Sequence, residues 1–258
     1  MERISRTLGL LFGLLIVVSI STGIGKLFVN ILFENSDQYN TVAASLGGFI
    51  TLAIIYKFCG EGKNIAYIYK LKRIKLKDIL YIILMGIALS IVLSILIDFL
   101  TQLFPSYEEV SNRITSQTSS ILNIMCIVVL VPIYEEIIFR GIIFNHLKEN
   151  YKIGIAIVVQ ALVFGIEHGN IVQSIYTFIL GIVLALMYMY FNSIYANIML
   201  HMIFNLFGGV IDLKLYNLNK FTYYILATIC FVFLIMASYK MVLDYRRNHR
   251  KWSLFGVK

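Results

Sequence analysis

The sequence predicts an all-α protein, a polytopic membrane helix bundle of about eight transmembrane helices. Its 258 residues are 59% hydrophobic and 14% charged, and their mean hydropathy is +0.83. That composition is far too apolar for a soluble globular domain. Because no polar stretch is long enough to form a separate soluble unit, we expect residues 1–258 to make a single membrane domain.

Apolar runs long enough to cross a bilayer recur along the chain. A helix needs about 20 such residues at a rise of about 1.5 Å each. The first run continues to Phe33, which favours a retained span over a cleaved signal peptide. The predicted spans are 7–27, 41–58, 78–104, 121–145, 153–169, 171–191, 195–212 and 221–242, with a polar external loop at 105–120.

Basic residues between the spans predict the orientation. Segment 57–77 and the tail after residue 245 are the most basic parts of the chain, so the positive-inside rule assigns both of them, and both termini, to the cytoplasm. The formal net charge is +8. Since the cations lie between apolar runs and not on a soluble face, we expect anionic membrane lipids as partners and no nucleic acid.

Three of the predicted spans are interrupted by polar side chains. The fourth contains Glu135, Glu136 and Arg140; the fifth ends at Phe164-Gly-Ile-Glu-His168; the seventh contains His201-Met-Ile-Phe-Asn205. A charge at the centre of a membrane helix costs roughly 2.5–3.5 kcal/mol on insertion scales. These interruptions therefore mark the candidate functional residues.

Helical geometry assigns different tasks to the two glutamates. Glu136 and Arg140 are four residues apart on one helix face and should form an ion pair. Glu135 points about 100° away from Glu136 and has no cation on its own helix, so a partly desolvated Glu135 would be the stronger base. The alternative is that all three side chains form a structural clamp between helices.

The polar residues of the fifth and seventh spans add an imidazole and a pair of donors. Taken alone, His168 could be a hydrogen-bonded helix-end residue, and His201 with Asn205 could be interhelical contacts. Taken together with Glu135, they are the groups needed to activate a water and to stabilise an oxyanion. Counting residues along straight helices places Glu135 and His201 at similar depth but His168 roughly 10 Å further out.

Other chemistries fit the sequence less well. Zinc is possible through Glu135, His168 and His201 but is not required, because the chain has no HExxH motif. No GxSxG motif supports serine chemistry. The three cysteines, Cys59, Cys126 and Cys230, are far apart and without CxxC spacing, so we interpret them as small buried hydrophobic residues.

The three interruptions resemble the signature motifs of the CAAX protease and bacteriocin-processing family of intramembrane endopeptidases, also called CPBP or Abi. Those motifs are EExxxR, FxxxH and HxxxN, and they occur here in that order. The resemblance covers roughly residues 120–210. It implies a catalytic core in that range, water activation by Glu135 and His168, an oxyanion hole from His201 and Asn205, and supporting roles for Glu136, Arg140 and Phe164.

The resemblance further implies a glutamate mechanism without metal, acting on a peptide or a membrane-anchored, lipid-modified peptide. Two other functions stay open at this point. One is a non-catalytic membrane scaffold or a bacteriocin self-immunity protein; the other is a proton-coupled transporter, although the chain shows no repeated halves. The sequence does not identify the substrate or the oligomeric state.

Overall fold

The computed structural model describes residues 2–33, 36–60, 72–118, 120–211 and 219–248. Within these ranges the chain is almost entirely helical and has no β-strand, which confirms the predicted fold class. We name the helices in chain order as α1 (Glu2–Leu32), α2 (Asn40–Ile55), α3 (Leu76–Leu103), α4 (Tyr107–Gln117), α5 (Ile121–Asn150), α6 (Ile153–Glu167), α7 (Ile171–Phe191), α8 (Ile194–Asn205) and α9 (Lys220–Asn248).

Each predicted span falls on one of these helices. Six helical segments are long and apolar enough to cross a membrane: Glu2–Leu32, Asp37–Phe58, Leu76–Leu103, Ile121–Asn150, Ile171–Phe191 and Phe221–Arg247. Two further apolar helices, Ile153–Glu167 and Ile194–Val210, are shorter. The structure therefore confirms a polytopic helical membrane bundle, and the number of complete crossings stays a prediction.

Several residues that enter the charge argument lie outside the described ranges. They are Lys63 and Lys70 of the basic loop, and Arg250, Lys251 and Lys258 of the tail. The side chain of Cys59 also lies outside the described part of the structure, whereas Cys126 and Cys230 are free thiols.

The segment predicted as a polar external loop, 105–120, instead contains the helix α4. Its first turn carries Glu108 and Glu109, which favour a helix N-terminus, and its apolar side chains lie on one face. On that face Tyr107 is only 5% exposed and packs with Leu100 and Val172. Amphipathic packing onto α3 and α7, which cannot be read from the polar composition of the segment, is what makes it helical.

Helix α5 alternates between α-helical and π-helical turns. The π turns span Cys126–Leu130 and Ile137–Phe144, and they flank the short α-helical segment Val131–Glu136. Helix α8 continues into a third π turn, Leu206–Val210. Wide turns of this kind occur frequently at functional sites because they place an extra residue in one turn and redirect the side chains around it.

Close helix packing holds α2 against α1 and against α5. A Cβ atom at Gly47 would lie 2.6 Å from the Cα of Thr22, so only glycine permits α1 and α2 to approach this closely. A Cβ atom at Gly48 would lie 2.4 Å from the ring of Tyr134, the residue before Glu135. This second contact seats α2 directly on the polar segment of α5.

Both ends of the described chain lie at the same end of the bundle. Near the start of α1, the Oγ1 of Thr7 is 2.9 Å from the Nε2 of His146 and 2.9 Å from the hydroxyl of Tyr151, at the end of α5. Near the end of α9, Arg247 shares a cavity wall with Lys148 of α5. The start of α1 and the end of α9 thus lie on one side of the bundle, while the cytoplasmic placement of both termini stays a prediction.

Candidate active site

The polar segment of α5 forms the buried ion pair that the sequence predicts. The Nη1 of Arg140 donates to the Oε1 of Glu136 at 2.9 Å, and both side chains are 0% exposed. The Nη2 of Arg140 also donates to the carbonyl oxygen of Gly181 on α7, at 3.3 Å. Since a buried charge is tolerated only when it is paired and hydrogen-bonded, these contacts explain how Arg140 is held in the apolar core.

Glu136 is saturated by donors from three side chains. Besides Arg140, the Nδ1 of His201 lies 2.9 Å from the Oε1 of Glu136, and the Nδ2 of Asn197 donates to its Oε2 at 3.2 Å. Both of these donors come from α8. Glu136 therefore fixes the position of α8 relative to α5 and orients the imidazole of His201.

Glu135 is buried next to this pair but makes far fewer contacts. It is 8% exposed, so it is not turned out toward lipid. Among the described residues, the contact within ion-pair distance of Glu135 comes from His201, whose Nε2 lies 3.7 Å from the Oε2 of Glu135. The same imidazole thus bridges the two glutamates, with Nδ1 on Glu136 and Nε2 facing Glu135.

The ring of Phe164 lies at the centre of the site. It is fully buried, and the Cζ of Arg140 lies 4.7 Å from its centroid in a cation–π contact. It meets the imidazoles of His168 and His201 edge to face, at centroid distances of 5.2 and 5.9 Å. Phe164 therefore brings the first, second and third motifs into contact through a single ring.

His168 stands directly after α6, and its Nδ1 lies 2.9 Å from the carbonyl oxygen of Phe164. Because a carbonyl only accepts, Nδ1 carries the proton, and the Nε2 of the neutral imidazole carries a lone pair. No direct hydrogen bond joins His168 to Glu135 within the described ranges. Both imidazoles nevertheless contact the same ring, so the depth offset expected from counting residues does not keep His168 away from the site.

Asn205 bonds to α5 and not to another motif side chain. Its Nδ2 donates to the carbonyl oxygen of Ile127 at 2.9 Å. That carbonyl lies in the first π turn. There the backbone amide of Val131 donates to the carbonyl oxygen of Cys126 and not to that of Ile127, as it would in an α-helix. The next residue, Pro132, has no amide proton, so Asn205 supplies a donor that the helix backbone lacks there. One proton of the Asn205 carboxamide remains for another acceptor.

The structure adds two polar residues that the sequence analysis missed. Asn197 lies one turn before His201 on α8, so the spacing Asn197-xxx-His201-xxx-Asn205 could have indicated it. Gln160, fully buried on α6, donates to the carbonyl oxygen of Gly181 at 2.8 Å, the same atom that accepts from Arg140. A single glutamine in an apolar helix gave no comparable signal.

The fit of a metal ion can be judged from the side chains present. Within the described ranges, no group of three His, Cys, Asp or Glu side chains is placed to hold one. The set Glu135, His168 and His201 therefore does not fit a three-ligand zinc site as arranged here.

Comparisons with known proteins agree with the three motifs. Residues 117–207 match the sequence model of the family described as "Rce1-like: Type II CAAX prenyl endopeptidase Rce1-like". The chain is also 32% identical over 83 residues to the Bacillus subtilis (strain 168) protein named "Putative membrane peptidase YdiL". That alignment covers 32% of this chain and 34% of the relative, so the chain matches about a third of the relative's length. No solved structure matches the chain.

These matches confirm the resemblance to the CAAX protease family that the motifs predict. The matched segment contains every candidate site residue, from Glu135 to Asn205. Together with the six long apolar helices, the matches also confirm a multi-pass integral membrane protein.

Proposed function

We propose that this chain, which matches the sequence model of a CAAX protease family over residues 117–207, is an intramembrane endopeptidase. Its substrate is a peptide or a membrane-anchored, lipid-modified peptide, and the nucleophile is a water activated by Glu135 together with His168. The observation that carries the proposal is the contrast between two adjacent buried glutamates. Glu136 accepts from Arg140, His201 and Asn197, whereas within the described ranges the one such partner of Glu135 is His201, at 3.7 Å.

This contrast supports Glu135 as the base. A carboxylate that already accepts several strong hydrogen bonds is a weak base, because protonation would break those bonds. Among the described residues Glu135 makes no hydrogen bond of that kind, and the Nε2 of His201 lies 3.7 Å away, so protonation breaks fewer hydrogen bonds at Glu135 than at Glu136. The Nε2 of His168, which carries a lone pair, is the second group that can accept a hydrogen bond from that water.

The charge balance of the cluster supports a donor role for His201. Its Nδ1 is committed to Glu136, so its Nε2 can donate only when the ring is doubly protonated. In that form two cations, Arg140 and His201, balance two carboxylates, and a buried cluster without net charge is favoured in a low-dielectric interior. The Nε2 proton of His201 and the second carboxamide proton of Asn205 are then the two proposed oxyanion donors.

The reaction follows in two balanced steps. The water oxygen bonds to the scissile carbonyl carbon, one water proton passes to Glu135, and the carbonyl electron pair becomes the oxyanion held by His201 and Asn205. The carbonyl then re-forms as the carbon–nitrogen bond breaks, and the proton on Glu135 passes to the departing amine. No metal or other cofactor takes part in either step.

Mass spectrometry of membrane peptides from cells producing the wild-type protein or Glu135→Gln tests the proposal and identifies the substrate together. A matched control is Glu149→Gln, which removes the same charge from an exposed side chain near the end of α5. We expect specific cleavage products from the wild type and from the control, and none from Glu135→Gln. Identical peptides from all three would contradict peptidase activity and would favour a non-catalytic scaffold or immunity role.

The oxyanion role has its own test once a substrate is known. Loss of one oxyanion donor lowers turnover by about 10²–10³, so Asn205→Ala should turn over slowly. Because Asn205 also donates to the carbonyl oxygen of Ile127, the unfolding temperature of this variant must be measured in parallel. Wild-type turnover by folded Asn205→Ala would contradict the assignment.

A further inference from the structure

A basic cavity opens at the end of the bundle where α3 begins and α5, α7 and α9 end. The described residues enclose about 660 Å³ there. Six cationic side chains line it, against two carboxylates, Asp78 and Asp244. The cations are Lys72, Arg73, Lys75, Lys77, Lys148 and Arg247. None of these residues belongs to the candidate active site, so the cavity is a separate feature of the fold.

The walls of this basic cavity are held in place by the packed helices. The hydroxyl of Ser193, a residue only 1% exposed, donates to the backbone carbonyl of Lys72 and ties the segment before α3 to the turn between α7 and α8. Asn192 makes that turn tight with a left-handed backbone, at a φ of 49°. The cations at residues 72–77 therefore project from an anchored segment.

The inner side of the basic cavity is aromatic. Tyr188, 1% exposed, and the neighbouring Tyr190 and Phe191 of α7 line it below the cations. The Nζ of Lys148 lies 5.2 Å from the ring centroid of Tyr188. Aromatic rings beneath a ring of cations are typical of the boundary between the hydrocarbon core and the headgroup layer.

We infer that the basic cavity is a binding site for the phosphate headgroup of an anionic phospholipid. The excess of cations over carboxylates selects negative charge, and basic pockets between transmembrane helices bind such headgroups. Four helix ends place the cavity at the membrane boundary, where the headgroup layer lies. The aromatic inner side offers apolar contact to the glycerol and upper acyl region, which a free phosphate lacks. The site is independent of the proposed peptidase activity.

Thermal unfolding of the full chain in a neutral detergent tests this inference. The probes are short-chain phosphatidylglycerol, short-chain phosphatidylcholine and inorganic phosphate, each titrated separately. We expect phosphatidylglycerol to raise the unfolding temperature in a saturable manner, since a ligand that binds only the folded state stabilises it. Phosphatidylcholine and phosphate should have little effect. An equal shift with phosphate would overturn the lipid assignment, and an equal shift with phosphatidylcholine would overturn selection for negative charge.

Matched variants locate the effect. Lys75→Gln/Lys77→Gln removes two exposed cations from the cavity, and Lys26→Gln/Arg113→Gln removes two from residues near the opposite ends of the helices. Each cation near an anionic surface strengthens binding to that surface. We therefore expect the loss of two cations to weaken phosphatidylglycerol binding about 30-fold. The control pair should retain wild-type affinity, and equal weakening in both pairs would overturn a localised site.

Two further proteins make the result independent of folding and of catalysis. Arg73→Gln/Arg247→Gln removes cations from another side of the cavity and should reproduce the loss of affinity even if the first pair is unstable. Glu135→Gln should bind phosphatidylglycerol as the wild type does. Wild-type affinity in both cavity variants would overturn the inference, whatever the outcome of the peptidase test.

Discussion

The buried pair of Glu136 and Arg140 gives the sharpest stability prediction. Both side chains are 0% exposed, and the Arg140 guanidinium contacts Glu136, Gly181 and the Phe164 ring. In Arg140→Met the carboxylate of Glu136 would stay buried without its ion-pair partner on α5, and the cluster of two carboxylates would keep one cation fewer. Removing one partner of a buried pair costs about 3–5 kcal/mol, so we expect the free energy of unfolding to fall by about that amount.

A double variant separates the loss of charge balance from the loss of packing. Glu136→Gln/Arg140→Met removes both charges, and the glutamine oxygen still accepts from His201. Replacing a whole buried pair by uncharged groups is close to neutral. The double variant still lacks two contacts of Arg140. These are the cation–π contact over Phe164, worth about 0.5–2 kcal/mol, and the bond to Gly181. The double variant should therefore recover most of the stability lost by Arg140→Met.

Unfolding in mixed detergent micelles, followed by helical circular dichroism, measures both free energies. Arg113→Met serves as the control, because Arg113 is an exposed arginine on α4 outside the site. It should change stability by less than about 0.5 kcal/mol. If Arg140→Met were as stable as the double variant, burying the charge of Glu136 without Arg140 would not lower the free energy of unfolding. That result would refute the charge-balance reasoning on which the roles of both glutamates rest.

Three further predictions follow from single contacts. Gly48→Ala should lower the unfolding temperature, since its Cβ would lie 2.4 Å from the Tyr134 ring, whereas Gly23→Ala, with nothing within 4 Å, should not. Asn197→Ala should lower the free energy of unfolding by about 1–3 kcal/mol, because a buried hydrogen bond to Glu136 is lost. The same variant should lower kcat more than it changes KM. Burial and contact with Tyr176 raise the pKa of Tyr107 above 10.0, so the folded protein retains that proton while the unfolded chain ionises. The stability advantage of the wild type over Tyr107→Phe, measured by thermal unfolding, should therefore be constant below about pH 10 and decline above it; a flat difference would contradict this.

The sequence was sufficient where a contact depends only on helical spacing. Glu136 and Arg140 are four residues apart and form the predicted bond, and each polar interruption falls on the helix assigned to it, apart from His168, which directly follows α6. Asn197 shares that spacing with His201, so its contact with Glu136 was accessible to the same reasoning. The match at residues 117–207 likewise rests on motifs visible in the sequence.

Contacts that depend on the width of a helical turn could not be predicted. In a uniformly apolar run, a π turn changes no hydrophobic pattern, so the turns Cys126–Leu130 and Ile137–Phe144 leave no signal. The bond from Asn205 to Ile127 follows from the first of these turns and from Pro132 after it. The helix α4 was missed for a related reason, because its apolar face is defined by packing onto neighbours distant in sequence.

The adjacency of Glu135 and Glu136 has a physical consequence for any chemistry at this site. Neighbouring residues on a helix point about 100° apart, so one carboxylate can face inward to a cation while the next faces another helix. Glu136 takes the inward position and satisfies Arg140, Asn197 and one nitrogen of His201. The group that balances the buried charge is then distinct from the group left to exchange a proton. Because His201 contacts both glutamates, a proton moving between its Nε2 and Glu135 changes the charge on Glu135 while the bond of Nδ1 to Glu136 can stay in place.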